Sequence, residues 1–309
     1  MALRCANPGH LTSYRFPGSV CSMALSPLYT IHQYSDDIFK VVSFKGNRDP
    51  DRAFLRDRED NQRNSCKLDN NFSRARSMVL QYALCNSWDY FFTGTLDRAK
   101  MDRYDLDTFA SRLMQFIRDK RKKYSAKFQV LLVPEHHKDG AWHIHGLISG
   151  LPKSVLFAFV PPAPKHLIKG GFLNWPDYMQ KFGFCSLAPI RNPVATAFYI
   201  SKYVSKELAQ RGGDLGKHLY FHSRPLRHAE KVSDVYLCNP GLDECCTHDY
   251  DFCKTGMVSD APWFFPFCWD GVEAVEAGPL IAPVPLEPEQ NFKPWEIDPF
   301  YEQISIPIV

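Results

Sequence analysis

Two short stretches of this chain carry residue types and spacings that could do chemistry. The first is Trp142-His143-Ile144-His145-Gly146-Leu147. On a strand, side chains at i and i+2 leave the same face, so His143 and His145 stand side by side and can share one divalent ion. The second is Tyr199-Ile200-Ser201-Lys202-Tyr203-Val204-Ser205-Lys206. At ~100° per residue, Tyr199, Lys202, Tyr203 and Lys206 make one helical stripe, while Ala197, Ile200, Val204 and Leu208 make another that can bury. A phenol with a pKa near ~10 is a weak nucleophile at neutral pH and needs positive charge beside it. Lys202, Lys206 and a metal ion would supply that charge. Each stretch alone has an ordinary explanation, a polar strand face or an aromatic core pair; together they describe a phenol attacking a phosphodiester with metal assistance.

Two imidazoles need a third ligand, and the hairpin that carries them predicts where it lies. With a three-residue loop, Lys138-Asp139-Gly140, Glu135 falls opposite His143; with a two-residue loop, Asp139-Gly140, His136 takes that place. Glycine suits the left-handed third position of the longer loop, which selects Glu135. A carboxylate and two imidazoles with open oxygen positions suit Mg²⁺ or Mn²⁺ in a phosphate-handling site.

These residues have to be held by regular elements. Tyr90 to Leu96 reads as a strand rich in aromatic and β-branched residues. Asp105 or Asp107 can cap a helix in which Phe109, Leu113, Phe116 and Ile117 share one apolar face, and which closes on the basic run Arg118 to Lys123. Lys127–Pro134 and Ala141–Ser149 read as paired strands, Gly183–Ile190 as another, and His218–His222 as one more. Asn192-Pro193 fits the cap and first position of the tyrosine helix. Residues 1–75 are expected to be a partly irregular N-terminal extension, with organised signal starting near Ser77. Residues 76–235 hold the sites, and residues 236–309, first Cys-containing and then Pro-rich and acidic, are expected to build no second core.

Net charge is +3, but from Val258 onward there is one Lys or Arg against nine Asp or Glu, leaving an excess of 11 positive charges on residues 1–257. A basic body with an acidic tail suits a polyanion partner. No apolar run approaches the ~20 residues of a membrane span and no signal peptide is evident, so a cytoplasmic location with no membrane partner is expected. The ten cysteines then read as mostly reduced thiols. Cys245, Cys246, His248 and Cys253 could hold a structural zinc ion, although the adjacent Cys-Cys pair departs from the usual spacing.

With these motifs assembled, the chain resembles the HUH endonucleases, and within them the rolling-circle replication initiators of single-stranded-DNA phages and mobile elements, including the filamentous-phage gene II type. The likeness covers about residues 88–225: Phe91-Phe92-Thr93-Gly94-Thr95-Leu96 resembles the first motif, Glu135 through Gly146 the metal motif, and Tyr199 through Lys206 the nucleophile motif. It implies an α+β fold with a central antiparallel sheet of the ferredoxin or RRM-like kind flanked by helices. It further implies a nick in single-stranded origin DNA through a 5′-phosphotyrosyl intermediate, later religated, with a host helicase and polymerase as partners. Gly94 departs from the larger residue many relatives carry, and the Pro-rich segment 152–164 has no counterpart. Relaxases and transposases of the same superfamily are the nearest rivals, but relaxases place the tyrosine before the histidines and the single-tyrosine transposases are shorter. A histidine-triad nucleotide hydrolase would need more histidines where Leu147 and Ser149 stand. A non-catalytic DNA-binding regulator would be expected to lack a tyrosine or a ligand, and none is missing.

Overall fold

The computed structural model of the chain describes residues 27–45, 63–124, 127–137, 139–204, 219–235, 240–250, 253–259 and 284–285. The first elements are β1 (Tyr29–Gln33), β2 (Ile38–Phe44), α1 (Arg63–Cys85), β3 (Tyr90–Thr95) and α2 (Leu106–Tyr124). Then come β4 (Gln129–His136), β5 (Trp142–Ser149), β6 (Phe157–Ala158), α3 (Lys165–Lys169), β7 (Leu173–Asn174), α4 (Pro176–Lys181), β8 (Cys185–Pro189) and α5 (Pro193–Lys202). The chain continues through β9 (Phe221–His222), β10 (Glu230–Val235), α6 (Pro240–Glu244), β11 (His248–Asp249), β12 (Cys253–Ser259) and β13 (Val284–Pro285).

Seven strands in the order β6-β7-β8-β3-β5-β4-β9 form one antiparallel sheet. Alternation along its strands sends residues to two different cores. Phe92, Val130, Leu132, Ile144, Ile148 and Leu187 pack against the Phe109, Leu113, Phe116 and Ile117 stripe of α2 and against Tyr178 and Phe182 at α4. Phe91, Leu131, Val133, Leu147 and Ala188 face the other way, onto Val79, Tyr82 and Ala83 of α1 and Ala197 and Ile200 of α5. Each large side chain so buried contributes about 1.5–3 kcal/mol over exposure. The caps read from sequence are in place: Asp105 accepts from the Thr108 amide at 3.0 Å and Asn192 from the Ala195 amide at 3.0 Å, with Pro193 following.

Gly94 has a structural explanation. A Cβ there would stand 2.5 Å from the Tyr178 hydroxyl, so the space a larger residue would need is filled by the Tyr178 ring from α4.

Two expectations are corrected. Residues 1–75 include β1, β2 and the start of α1 at Arg63, and a second sheet runs β10-β1-β2-β12-β11 with β13 on β12. It has its own core of Tyr29, Ile31, Phe39, Val41, Val235, Leu242, Cys245, Cys246 and Val258. Strands from both flanks of the chain therefore build a second core together, because neither flank has enough apolar surface alone. Cys245, Cys246 and Cys253 are buried free thiols, and Cys245 Sγ donates to the Gly241 carbonyl at 2.7 Å. They pack as small apolar residues. The acidic segment beyond Ser259, apart from Val284 and Pro285, lies outside the described residues.

Candidate active site

The β4–β5 turn fixes the site. His137 donates to the Ala141 carbonyl at 2.8 Å, Gly140 donates to His137 at 2.8 Å, and Gly140 has φ 84°. This is the three-residue loop, with glycine at its left-handed position. Glu135 consequently pairs with His143, and His136 with Trp142, against whose ring it packs. Thr93 on β3 pairs with His145, and Thr95 with His143. Glu135, His143, His145 and Thr93 thus share the sheet face that α5 covers.

Glu135 Oε2 lies 2.7 Å from His145 Nε2. An ionised carboxylate only accepts, so Nε2 carries the hydrogen, and Nδ1 is left to accept from the Thr93 hydroxyl, a long contact at 3.4 Å. His143 is pushed down to about 4, first by burial and then by the neighbouring His137 and His145. It is neutral at physiological pH, with a ring lone pair available to a ligand.

Over this group lies the end of α5. Ala197, Ile200 and Val204 are buried, as the apolar stripe predicts. The helix ends at Lys202, and Tyr203 is its cap in a right-handed conformation, so the two tyrosines remain about one turn apart. The expectation that their stripe turns away from the core is only half right. Tyr203 stacks on His145, centroids 3.9 Å apart at 18°, and donates to the Tyr199 hydroxyl at 2.7 Å. Phe91 supports both rings from β3, at 5.5 Å from Tyr199 and 6.4 Å from Tyr203. Burial raises the Tyr203 phenol above its ordinary value, and Tyr199 and Glu135 raise it further. In this state the phenol holds its proton firmly.

Of the seven residues singled out from sequence, Glu135, His143, His145, Tyr199 and Tyr203 come together. Lys202 is exposed, and the neighbours acting on Tyr203 include no lysine. Lys206 lies outside the described residues. Three participants were missed. Thr93 reaches His145, Phe91 underlies the tyrosines, and His137 stacks on His143 with centroids 4.8 Å apart. Their signal was present as the period-2 pattern Phe91, Thr93, Thr95 and as His137 two residues beyond Glu135.

The donor chemistry of two imidazoles and a carboxylate on adjacent strands suits a divalent cation. Among the described residues no three His, Cys, Asp or Glu side chains already surround one point as ligands do. Glu135 and His145 instead bond each other through atoms a cation would take.

Residues 89–208 match the family model described as replication-associated protein ORF2/gene II protein. The matched stretch contains β3, the β4–β5 hairpin and α5, the three elements that converge on the site. This likeness supports a replication initiator of the rolling-circle kind, with nuclease activity in general terms and DNA as its partner. No curated protein and no solved structure matches the chain. Among the described residues, no helix is long and apolar enough to cross a membrane.

Proposed function

We propose that the chain is an HUH nickase that starts rolling-circle replication by cutting single-stranded origin DNA with a tyrosine. The observation that carries this is the Tyr203 ring lying on His145, with Tyr199 hydrogen-bonded to it, above the Glu135–His145 pair. Phenols and metal-ligand types then meet at one point of the sheet, as in-line attack on a phosphate requires.

Glu135, His143 and His145 would hold Mg²⁺ or Mn²⁺, which when bound supplies charge to polarise the phosphate and favour a phenolate. His143, neutral above its low pKa, is ready to ligate without first losing a proton. Thr93 fixes the His145 ring through Nδ1, the outer contact that orients a ligating imidazole. The tyrosine loses its proton as its oxygen bonds to phosphorus, the bond from phosphorus to the 3′ oxygen breaks, and that oxygen takes up a proton to leave as a 3′-hydroxyl. The 5′ side stays on the protein as a phosphotyrosine, conserving the bond for religation. With two tyrosines in contact, one can hold the 5′ end while the other attacks the new junction. Lys202 and Lys206 would act as added positive charge once substrate draws them in. A host helicase and polymerase would extend the freed 3′ end.

Single-stranded oligonucleotides tiled across the DNA around the gene, incubated with and without Mn²⁺, test this reading. Site-specific cutting that needs the ion and leaves protein on the 5′ product is expected; cutting unaffected by excess chelator would contradict it.

A further inference from the structure

Beyond the reacting residues, one edge of the seven-stranded sheet is built unlike the rest of the surface. β9 pairs with β4 through Leu131 opposite His222 and Leu132 opposite Phe221. His222 therefore lies on the same sheet face as Leu131, Val133 and Glu135, and Glu135 is four residues, about 14 Å, further along β4. Tyr220 is two residues from His222 toward that end and lies parallel to it, centroids 5.9 Å apart at 22°. Both rings gather round buried Tyr82 of α1, at 6.2 Å and 4.7 Å, and His228 meets Tyr82 edge-on at 4.9 Å. Tyr220 and His222 are half-buried, whereas Arg224, Arg227 and His228 are exposed. Arg121, in the basic end of α2, donates to the Arg224 carbonyl and joins that positive run to the patch.

We propose that this edge is a stacking platform for the single-stranded DNA that flanks the reacting phosphate, an inference that rests on the nickase reading for what the site cuts. Half-exposed rings in a row give unpaired bases a face to stack on, and Arg224 and Arg227 neutralise the phosphates that run beside them. A duplex cannot use the rings, because its bases are already stacked. The row also continues the face that carries Glu135, so a strand laid along it is led toward the tyrosines. Acidic proteins would find the arginines but have no use for parallel rings.

The test is fluorescence anisotropy of the full chain on an oligothymidylate of about 30 nucleotides, in chelator so that nothing is cut, over a salt series. Tyr220→Leu with His228→Ala should weaken binding about tenfold or more while leaving the salt slope unchanged. Arg224→Ala with Arg227→Ala changes only exposed side chains and so spares folding; it should flatten the slope of log K against log salt by about 1.4. Neither ring substitution should weaken binding to a duplex of the same length. Affinity equal to wild type in both variants overturns the platform, as does an equal loss on duplex from the ring variant. A protein that never cuts its oligonucleotides but shows these losses would remove the nickase reading and leave the platform standing.

Discussion

The two faces of the seven-stranded sheet are made by the same strands and have opposite contents. Toward α2 and α4, Phe92, Leu132, Ile144 and Leu187 are all at or below 1 % exposure, and the layer is apolar along its length. Toward α1 and α5 the face begins the same way with Phe91, Leu131 and Leu147, then changes to His145, Thr93, His143 and Glu135 where α5 ends. One face stores stability, and the other uses part of its length for chemistry. A period of two residues allows both in one hairpin, because Ile144 can anchor the strand while His143 and His145 face the other side.

If that division holds, substitutions on the two faces should separate activity from stability. The largest effect is expected from His143→Ala with His145→Ala, which should lower nicking by a thousandfold or more, ~4 kcal/mol in the barrier, while most DNA binding remains. Near-wild-type cutting by that variant would end the metal assignment. On the packed face, Phe109→Ala should cost about 3–5 kcal/mol in denaturant unfolding, since Phe109 is fully buried in the α2 layer. A loss under about 1 kcal/mol would mean that this layer is not the stabilising one.

The pH response sharpens the contrast. His143 holds a folded pKa of about 4 against 6.5 when free, so between these values the unfolded chain binds a proton the folded chain refuses. Its contribution is whole above pH 6.5 and is lost as pH falls toward 4. In chelator, wild-type protein should therefore lose more melting temperature between pH 7 and pH 4.5 than His143→Gln does; parallel losses would show that His143 is not held neutral by the fold. The smallest effect is expected at Tyr178, whose buried hydroxyl has no hydrogen-bond partner and whose phenol is raised well above its ordinary value by burial. Tyr178→Phe should be neutral or stabilising by about 1 kcal/mol, and a clear destabilisation would reveal a partner for that hydroxyl.

What the sequence made legible follows the range of the interactions. The Glu135–His143 pairing depends on a three-residue turn, and the caps at Asp105 and Asn192 on the next few amides, so local rules sufficed. The α2 stripe was equally readable. The second sheet was not, because β1 pairs with β10 about 200 residues away, Tyr29 with Val235, and each short strand alone resembles a loop. Helix α1 begins at Arg63, in a stretch dense in Asn and Asp whose weak helix propensity pointed elsewhere. At the site, residue types and helical spacing gave the tyrosines, but their seat on His145 and Phe91 depends on how α5 crosses the sheet, which no spacing encodes.

The central claim is that the two phenols meeting above His145 are the nucleophiles. Tyr→Phe keeps both rings and removes only the hydroxyls, so Tyr199→Phe with Tyr203→Phe should fold and bind origin DNA as wild type does. Denaturing gel analysis of 5′-extended, labelled origin oligonucleotides with Mn²⁺ measures the covalent product directly. The account predicts a protein–DNA adduct in wild type, partial cutting without completed strand transfer in each single variant, and no adduct in the double variant; an adduct that survives in the double variant would contradict it.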